Sequence, residues 1–194
     1  KIKNRTGLQV FILTVGVFSI INTEMGVVGI LPIIAEQYGI TISAAGALGS
    51  LFALVVAIAG PTMPLICSKF ERKAVMLTVL GVFTVCNLIS AFASEFWIVL
   101  TVRIIPAFFH PVYVSLAMSV AAASVDNSQA PKTVAKVMMG VSAGMVLGVP
   151  IVSSLVDITS LRIGMLFFAF VNGVAFLATL IFIPRTPVTK KLSY

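Results

Sequence analysis

Six long apolar stretches, separated by short segments that carry most of the charges and turn residues, dominate this sequence. We place them at Leu8–Ile34, Ile42–Cys67, Ala74–Ala93, Phe96–Ala123, Val134–Val156 and Leu161–Ile183. A helix of about 20 apolar residues crosses the roughly 30 Å hydrocarbon core of a bilayer. Each stretch is long enough to do so, and none has the strict alternation of a transmembrane β-strand. The sequence therefore predicts an all-α integral membrane protein with six transmembrane helices.

The composition excludes a water-soluble domain. Hydrophobic residues make up 59% of the chain and charged residues 10%, whereas soluble domains average about 25% charged residues. Cys67 and Cys86 lie in apolar segments without metal or disulfide spacing. The sequence contains no P-loop, metal-ligand cluster or nucleophile–base pair. We therefore expect no enzyme, no catalytic residue, no bound metal and no cofactor.

The basic residues are distributed very unevenly between the two sides of the predicted bundle. Eleven of the 13 Lys and Arg residues fall on one side: Lys1, Lys3, Arg5, Lys69, Arg72, Lys73, Lys132, Lys136, Arg185, Lys190 and Lys191. Arg162 falls on the other side, and Arg103 lies within the fourth span. Because cytoplasmic loops carry the excess of Lys and Arg, we expect both termini in the cytoplasm and a multi-pass protein of the plasma (inner) membrane. This topology explains the net charge of +7 without a nucleic-acid partner.

The six spans also divide into two sets of three, and an odd number of spans inverts the second set relative to the first. Corresponding features recur weakly. The second span ends near Gly60–Pro64 and the fifth contains Gly148–Pro150; the first holds Asn22–Glu24 at mid-depth, and the fourth holds Arg103 and His110. Inverted repeats with polar groups near the midplane are typical of secondary transporters.

The segment that follows the second span carries a family resemblance. Gly60–Lys73 has the sequence GPTMPLICSKFERK, which resembles the cytoplasmic loop motif of the major facilitator superfamily. In the sugar-efflux and drug:proton antiporter branch this motif has Gly-Pro, six residues and then Asp-Arg-Phe-Glu-Arg-Arg. Further similarities follow in the expected order: Glu24 in the first span, Arg103 and His110 in the fourth, Gly140, Gly144 and Gly148-Val149-Pro150 in the fifth, and Arg162 before the sixth.

The resemblance covers the whole chain but only the N-terminal half of such a twelve-span protein. It implies a fold of two inverted three-helix repeats in residues 1–183 and the start of a cytoplasmic linker in residues 184–194. Because the first residue is Lys rather than Met, we expect that some N-terminal sequence is missing or processed. We also expect a second six-helix half as partner, either in the same longer chain or as a second copy.

The resemblance also implies gating contacts at the loop motif, where this chain departs from the family pattern. Ser68 replaces the motif's Asp, and Pro64 stands where the broader motif has Gly. Lys69, Arg72 and Lys73 retain the basic character of the loop. The loss of the acidic charge is expected to alter the contacts that hold the two halves together on the cytoplasmic side.

The function implied by the resemblance is secondary active transport. We expect proton-coupled efflux of a small organic solute, a sugar or a drug-like molecule, by alternating access. The alternative is a six-span channel or homo-oligomeric membrane scaffold without proton coupling. Flux that depends on an imposed proton gradient distinguishes the transporter from the channel.

Three charged or titratable residues, Glu24, Arg103 and His110, lie well inside the spans rather than at their ends. A charged residue at mid-span costs about 2.5–3.5 kcal/mol on insertion scales, so it usually faces a cavity or a partner. Glu24 is expected to exchange a proton or bind solute, or else to be a structural hydrogen-bonding residue. Arg103 either anchors an acidic group or extends to the membrane surface. His110 either relays protons, since histidine changes charge near neutral pH, or is a neutral hydrogen-bonding residue.

Helix geometry relates these residues to one another. At a rise of 1.5 Å per residue, Glu24 falls between Arg103 and His110 in depth, which predicts a linked polar cluster in which Arg103 holds the charged form of Glu24. Asn22 is a fourth candidate for the proton or solute site, but it is about 200° away from Glu24 around the helix, so only one of the two faces the cavity.

Two further sets of residues are expected to hold helices together. The stripe formed by Gly140, Gly144 and Gly148, with Pro150 at its end, predicts close packing against a neighbouring helix, in this half or in the missing one. Asn87 and Asn172 are interpreted as hydrogen-bonding residues between helices.

Overall fold

The computed structural model describes residues 2–185 of the chain and the side chains of residues 6–185. Within these bounds the chain is helical and contains no strand. The helices are α1 (Ile2–Gly29), α2 (Leu31–Tyr38), α3 (Ile42–Ala45), α4 (Ala47–Cys67), α5 (Arg72–Phe92), α6 (Phe96–Ala123), α7 (Ala130–Ile158) and α8 (Leu161–Phe182). Lys1, Lys190, Lys191 and the expected linker beyond residue 185 lie outside the described residues.

Six spans are long and apolar enough to cross a membrane, as predicted. They are Thr6–Gly29, Ile42–Cys67, Arg72–Phe92, Phe96–Ala123, Ala130–Ile158 and Leu161–Phe182. The second span, formed by α3 and α4, and the fourth span have the predicted bounds. The third and fifth spans begin two and four residues earlier than predicted, because the polar residues of their first turns are also helical, and the fifth ends two residues later. The third and sixth spans each end one residue earlier than predicted.

The predicted end of the first span at Ile34 is wrong, because α1 ends at Gly29. Pro32 has no N–H, so the helical hydrogen bond to the carbonyl of residue 28 cannot form. Ile30 leaves the helical conformation, with φ −113° and ψ 13°. The Ser153 hydroxyl of α7 donates to the Gly29 carbonyl at 3.2 Å and stabilises the break. Hydropathy does not detect such a break, because the residues on both sides of it are apolar.

The short helix α2 follows the C-terminal end of the first span. It ends at Gly39, whose φ of +62° lies in the left-handed region that favours glycine. Tyr38, its last residue, donates a hydrogen bond to the carbonyl of Ala93 at 3.1 Å, and partial burial raises the pKa of the Tyr38 phenol. The contact joins α2 to the loop between α5 and α6.

The helix packing has the symmetry expected of inverted repeats. The most extensive contacts between helices join α1 to α7, α4 to α6 and α5 to α8. In terms of spans, these are the first with the fifth, the second with the fourth, and the third with the sixth. If the first, second and third spans are exchanged with the fourth, fifth and sixth, the pair of first and fifth spans becomes the pair of fourth and second spans. The pair of third and sixth spans is unchanged. The predicted architecture of two three-helix repeats is confirmed.

Two apolar clusters fill the bundle and leave a polar layer between them. Along α1, one cluster includes residues up to Ile21 and the other begins at Val27. Along α6, the second cluster ends at Leu100 and the first resumes at Ala107. Glu24 of α1 and Arg103 of α6 therefore lie in this middle layer, and His110 lies beside it, where the fold brings the two helices together.

Candidate functional site

The central contact of the polar layer joins Glu24 of α1 to His110 of α6. His110 Nε2 lies 3.0 Å from Glu24 Oε2, and the two side chains are 10% and 20% exposed, respectively. Within the described residues the imidazole nitrogens have no hydrogen bond of acceptable geometry, and the contact is an ion pair when the imidazole is protonated. A small rotation of either side chain would align it as a hydrogen bond. The structure thus brings the Glu24 carboxylate and the His110 imidazole together inside the bundle.

Arg103 lies beside this pair and donates hydrogen bonds to main-chain carbonyls. Its Nη2 donates to the carbonyls of Thr23 at 3.1 Å and Glu24 at 3.0 Å. Its Nε donates to the Leu48 carbonyl of α4 at 3.2 Å. The residue is 7% exposed, so its guanidinium does not extend to the membrane surface. Arg103 joins the α1 turn that carries Glu24 to α4, through the backbone rather than through a hydrogen bond to the carboxylate.

Phe52 of α4 contacts both basic residues of α6. The Cζ atom of Arg103 lies 5.1 Å from the centre of the Phe52 ring, within the range of a cation–π contact. The His110 ring meets the same ring edge to face, with centroids 5.7 Å apart. Phe52 is 2% exposed, and it fixes the spacing of the two basic side chains from α4.

A second polar group lies on a different face of the same α1 turn, about 100° from Glu24 around the helix. Asn172 of α8 donates from Nδ2 to the Thr23 hydroxyl at 2.8 Å and to the Phe168 carbonyl at 2.9 Å. Its Oδ1 lies 3.2 Å from the Ser19 hydroxyl. Asn172, Thr23 and Ser19 are buried. The interpretation of Asn172 as a hydrogen-bonding residue between helices is confirmed, whereas Asn87 makes no hydrogen bond to any described residue and its Nδ2 is buried.

Asn22 is not part of either polar group. It is fully buried, and neither of its side-chain polar atoms has a hydrogen-bond partner among the described residues. A Cβ built on Gly148 of α7 would lie 3.4 Å from Asn22 Oδ1. Asn22 therefore lies at the contact between α1 and α7, while Glu24 contacts α6.

The glycines of α7 allow α1 to approach closely. A Cβ built on Gly140 would lie 2.4 Å from the Thr14 carbonyl oxygen, and one on Gly144 would lie 2.7 Å from the Ile21 Cβ. Both distances are far shorter than van der Waals contact, so glycine is required at these positions. The stripe packs against α1 of this half, and Pro150 beyond it is exposed.

The residues of the loop motif lie at the end of the bundle remote from α2. Pro64 is within α4, and the Ser68 hydroxyl after it donates to the Leu65 carbonyl at 2.6 Å. Lys69 is exposed and Arg72 begins α5. Lys73 Nζ donates to the Leu180 carbonyl at 2.8 Å, where a cation stabilises the free carbonyls at the end of α8.

The cavities do not by themselves locate the polar layer. One open cavity has a volume of about 1150 Å³ and lies beside Asp126 and Lys136, between the N-terminal parts of α1 and α7. None of Glu24, Arg103 and His110 lines it. An enclosed cavity of about 10 Å³ adjoins Arg103 and Phe52, and this is only large enough for about one water.

Sequence reasoning identified the ionisable residues of the site but missed several of the groups that hold them. Phe52 carries no polar signal and lies among many other apolar residues of its span. The carbonyls of Thr23, Glu24 and Leu48 belong to every peptide, so no sequence pattern could distinguish them. Asn172 was recognised as a polar residue of the sixth span, but its partner on α1 was not.

The fold and the polar layer together define a class: a six-span helical membrane bundle made of two inverted three-helix repeats. The chain belongs to the Major Facilitator Superfamily, whose family model matches residues 13–193. It is therefore a multi-pass membrane protein.

Individual relatives agree with this assignment. The chain is 35% identical over 153 residues to the uncharacterized MFS-type transporter YfhI of Bacillus subtilis (strain 168), covering 79% of this chain and 38% of that protein. It is 27% identical over 177 residues to a probable sugar efflux transporter of Helicobacter acinonychis (strain Sheeba), covering 90% of this chain and 44% of that protein. The chain thus spans less than half the length of these relatives. Both are named as transporters rather than enzymes.

The fold also matches a solved structure. The crystal structure of the human organic anion transporter MFSD10 (TETRAN) aligns with a TM-score of 0.77 at 17% identity, covering 94% of this chain and 49% of that one. At this identity the likeness concerns the fold alone, and it corresponds to one six-helix half of a longer transporter.

Proposed function

We propose that this chain is the N-terminal half of a secondary transporter that exports a small organic solute in exchange for protons. One observation carries the proposal: the Glu24 carboxylate lies 3.0 Å from His110 in a buried layer between two apolar clusters. Ionisable residues inside membrane spans are costly and usually serve transport pathways. A carboxylate beside a histidine can take up a proton, lose its attraction to the imidazole, and release the proton again.

Each residue has a role in this scheme. Glu24 binds and releases the coupled proton, and His110 holds the ionised carboxylate or receives a hydrogen bond from the solute. Arg103 keeps its charge throughout and fixes the Glu24 turn against α4 through three carbonyls. We place Asn22 at the helix contact rather than in the solute path, because it is buried against α7.

The solute class follows from the relatives and from the chemistry of the layer. A relative is named as a probable sugar efflux transporter, and the imidazole and carboxylate of the site can hydrogen-bond sugar hydroxyls. The buried ring of Phe52 offers an apolar surface beside them. Sugars and drug-like organic molecules are therefore the solutes to test.

A second six-helix half is needed to enclose this site. The second and fifth spans bury the smallest share of their residues, 22% and 28%, which leaves apolar faces for lipid or a partner bundle. We place the partner in the same longer protein, because the relatives are more than twice as long as the parts of them that match. The loop from Pro64 to Lys73 would form gating contacts with it, with Ser68 contributing no charge.

The test is solute export by the whole transporter in proteoliposomes under an imposed pH gradient, with labelled glucose, labelled lactose and ethidium as probes. Glu24→Gln should reduce gradient-driven export to the level of protein-free liposomes, because an amide cannot carry the proton. Glu36→Gln, the same change at an exposed position of α2, is the matched control and should export normally.

Two results would overturn the proposal. Normal gradient-driven export by Glu24→Gln would make Glu24 a structural residue. Conductance that ignores the gradient in the unmodified protein would favour the alternative of a channel or scaffold.

A further inference from the structure

The Asn172 side chain is fixed in one orientation by its acceptors. Its Nδ2 donates to the Phe168 carbonyl and the Thr23 hydroxyl. The Phe168 carbonyl oxygen can only accept, so flipping the amide would place Oδ1 against it and break that bond. Asn172 has no exposed surface, so water cannot compensate. The amide therefore determines where Thr23 can lie.

Both hydroxyls that contact Asn172 also have partners on their own helix. Thr23 Oγ1 donates to the Ser19 carbonyl at 2.9 Å, and Ser19 Oγ donates to the Gly16 carbonyl at 2.7 Å. Removing the amide would therefore leave neither hydroxyl unsatisfied. The hydrogen bond from Asn172 is therefore not needed to satisfy the buried hydroxyls. It does, however, join α8 to one particular turn of α1.

Thr23 immediately precedes Glu24, and the two residues point about 100° apart around the helix. Arg103 holds the carbonyls of both residues from α6, and Asn172 holds the Thr23 side chain from α8. Loss of the α8 contact would free the turn to rotate, which would change the 3.0 Å separation of Glu24 from His110.

We infer that Asn172 is a positioning residue that acts through Thr23 to hold Glu24 against His110, and so sets the efficiency of proton coupling. The inference rests on the proposed function for its effect on transport. Its geometric part, the placement of the Glu24 carboxyl group, does not depend on transport.

The first experiment compares gradient-driven export with gradient-independent exchange of the same labelled sugar in the whole transporter. Asn172→Leu, of similar volume, should lower the ratio of export to exchange by about tenfold, since a small misplacement of a reacting group costs that much or more. Thr179→Val removes a buried hydroxyl from the same helix and should leave the ratio unchanged. A merely structural role would lower export and exchange together.

A double-mutant cycle tests whether the effect passes through Thr23. Thr23→Val is nearly isosteric and removes the acceptor of Asn172. If Asn172 acts through this hydroxyl, Thr23→Val combined with Asn172→Leu should lower the ratio no further than the stronger single change. Fully additive losses would overturn the inference.

The second experiment does not require transport. The carbonyl stretching band of protonated Glu24 is identified in infrared spectra as the band that Glu24→Gln removes. Asn172→Leu should shift this band, because the surroundings of the carboxyl group change, and Thr179→Val should not. A shifted band in a protein that lacks proton-coupled export would refute the proposed function and retain the inference. An unshifted band in a protein that does show proton-coupled export would refute the inference and retain the proposed function.

Discussion

At the scale of single residues, the guanidinium of Arg103 makes its hydrogen bonds within the described structure to carbonyl oxygens on two helices. The planar guanidinium presents donors in fixed directions, whereas an ammonium group is a point charge on a flexible stem. Arginine is therefore suited to joining α1 and α4 at one point. The contact of Arg103 with the Phe52 ring also depends on its flat, weakly hydrated charge.

Arg103→Lys should destabilise the bundle, although the charge is kept. A lysine can retain one of the three carbonyl contacts, and hydrogen bonds to charged groups contribute about 1.5–3 kcal/mol each. The loss of two contacts is expected to cost about 3–6 kcal/mol, measured as a lower apparent melting temperature in detergent. Arg162→Lys, at an exposed arginine 5.4 Å from the Phe92 ring, is the control and should melt within a degree or two of the parent protein. Equal melting of both variants would argue against a joining role for Arg103.

At the scale of helices, the close approach of α1 and α7 decides which residues of α1 face α6. Gly140 and Gly144 bring the two backbones together, and the side of α1 that bears Asn22 is thereby used for packing. Glu24, about 200° away around the helix, is left to contact α6. The stripe of small residues thus sets the rotation of the helix that carries the carboxylate.

Gly140→Ala should push α1 away from α7. The new methyl group would lie 2.4 Å from the Thr14 carbonyl oxygen, and a main-chain atom cannot move aside as a flexible side chain can. We expect a loss of about 1–3 kcal/mol, the usual cost of overpacking, seen as a lower melting temperature. Gly49→Ala in α4 is the matched control, because a Cβ there has nothing within 4 Å. Equal stability of the two variants would show that the helix contact is looser than the structure indicates.

At the scale of the whole molecule, the pairing of spans follows the exchange symmetry of two inverted repeats, and the basic residues mark one end of the bundle. The loop after α4 and the start of α7 carry Lys69 and Lys132. The opposite end carries Glu36 and Glu95. These two ends correspond to the two sides of the membrane.

Cysteine labelling of intact cells should identify the two sides. With Cys67 and Cys86 replaced by alanine, cysteines at the exposed positions 36 and 95 should react with an impermeant maleimide. Cysteines at positions 69 and 132 should react only after the membrane is permeabilised, because loops rich in Lys and Arg remain in the cytoplasm. The reverse pattern would overturn the proposed orientation and the direction assigned to transport.

The sequence by itself determined the number of spans and most of their ends. Hydropathy and charge are local properties, and the thickness of the bilayer converts them directly into helix lengths. The break at Ile30 is the exception, because it depends on a missing N–H at Pro32 and on a hydroxyl donated from α7. The ionisable residues of the site could likewise be identified from the sequence, because a charged residue inside a span is energetically costly and usually functional.

Only the tertiary structure decided which of these residues meet. Thr23 and Asn172 are 149 positions apart in the chain, and Glu24 and Arg103 are 79 apart. The rotation of α1 about its axis places Glu24, rather than Asn22, in contact with α6. Phe52 is part of the site although its side chain has no polar group. Helical periodicity gives the angle between two residues of one helix, but the absolute rotation depends on how closely each neighbouring helix can approach. That is set by side chains and glycines on other spans, which no local pattern contains.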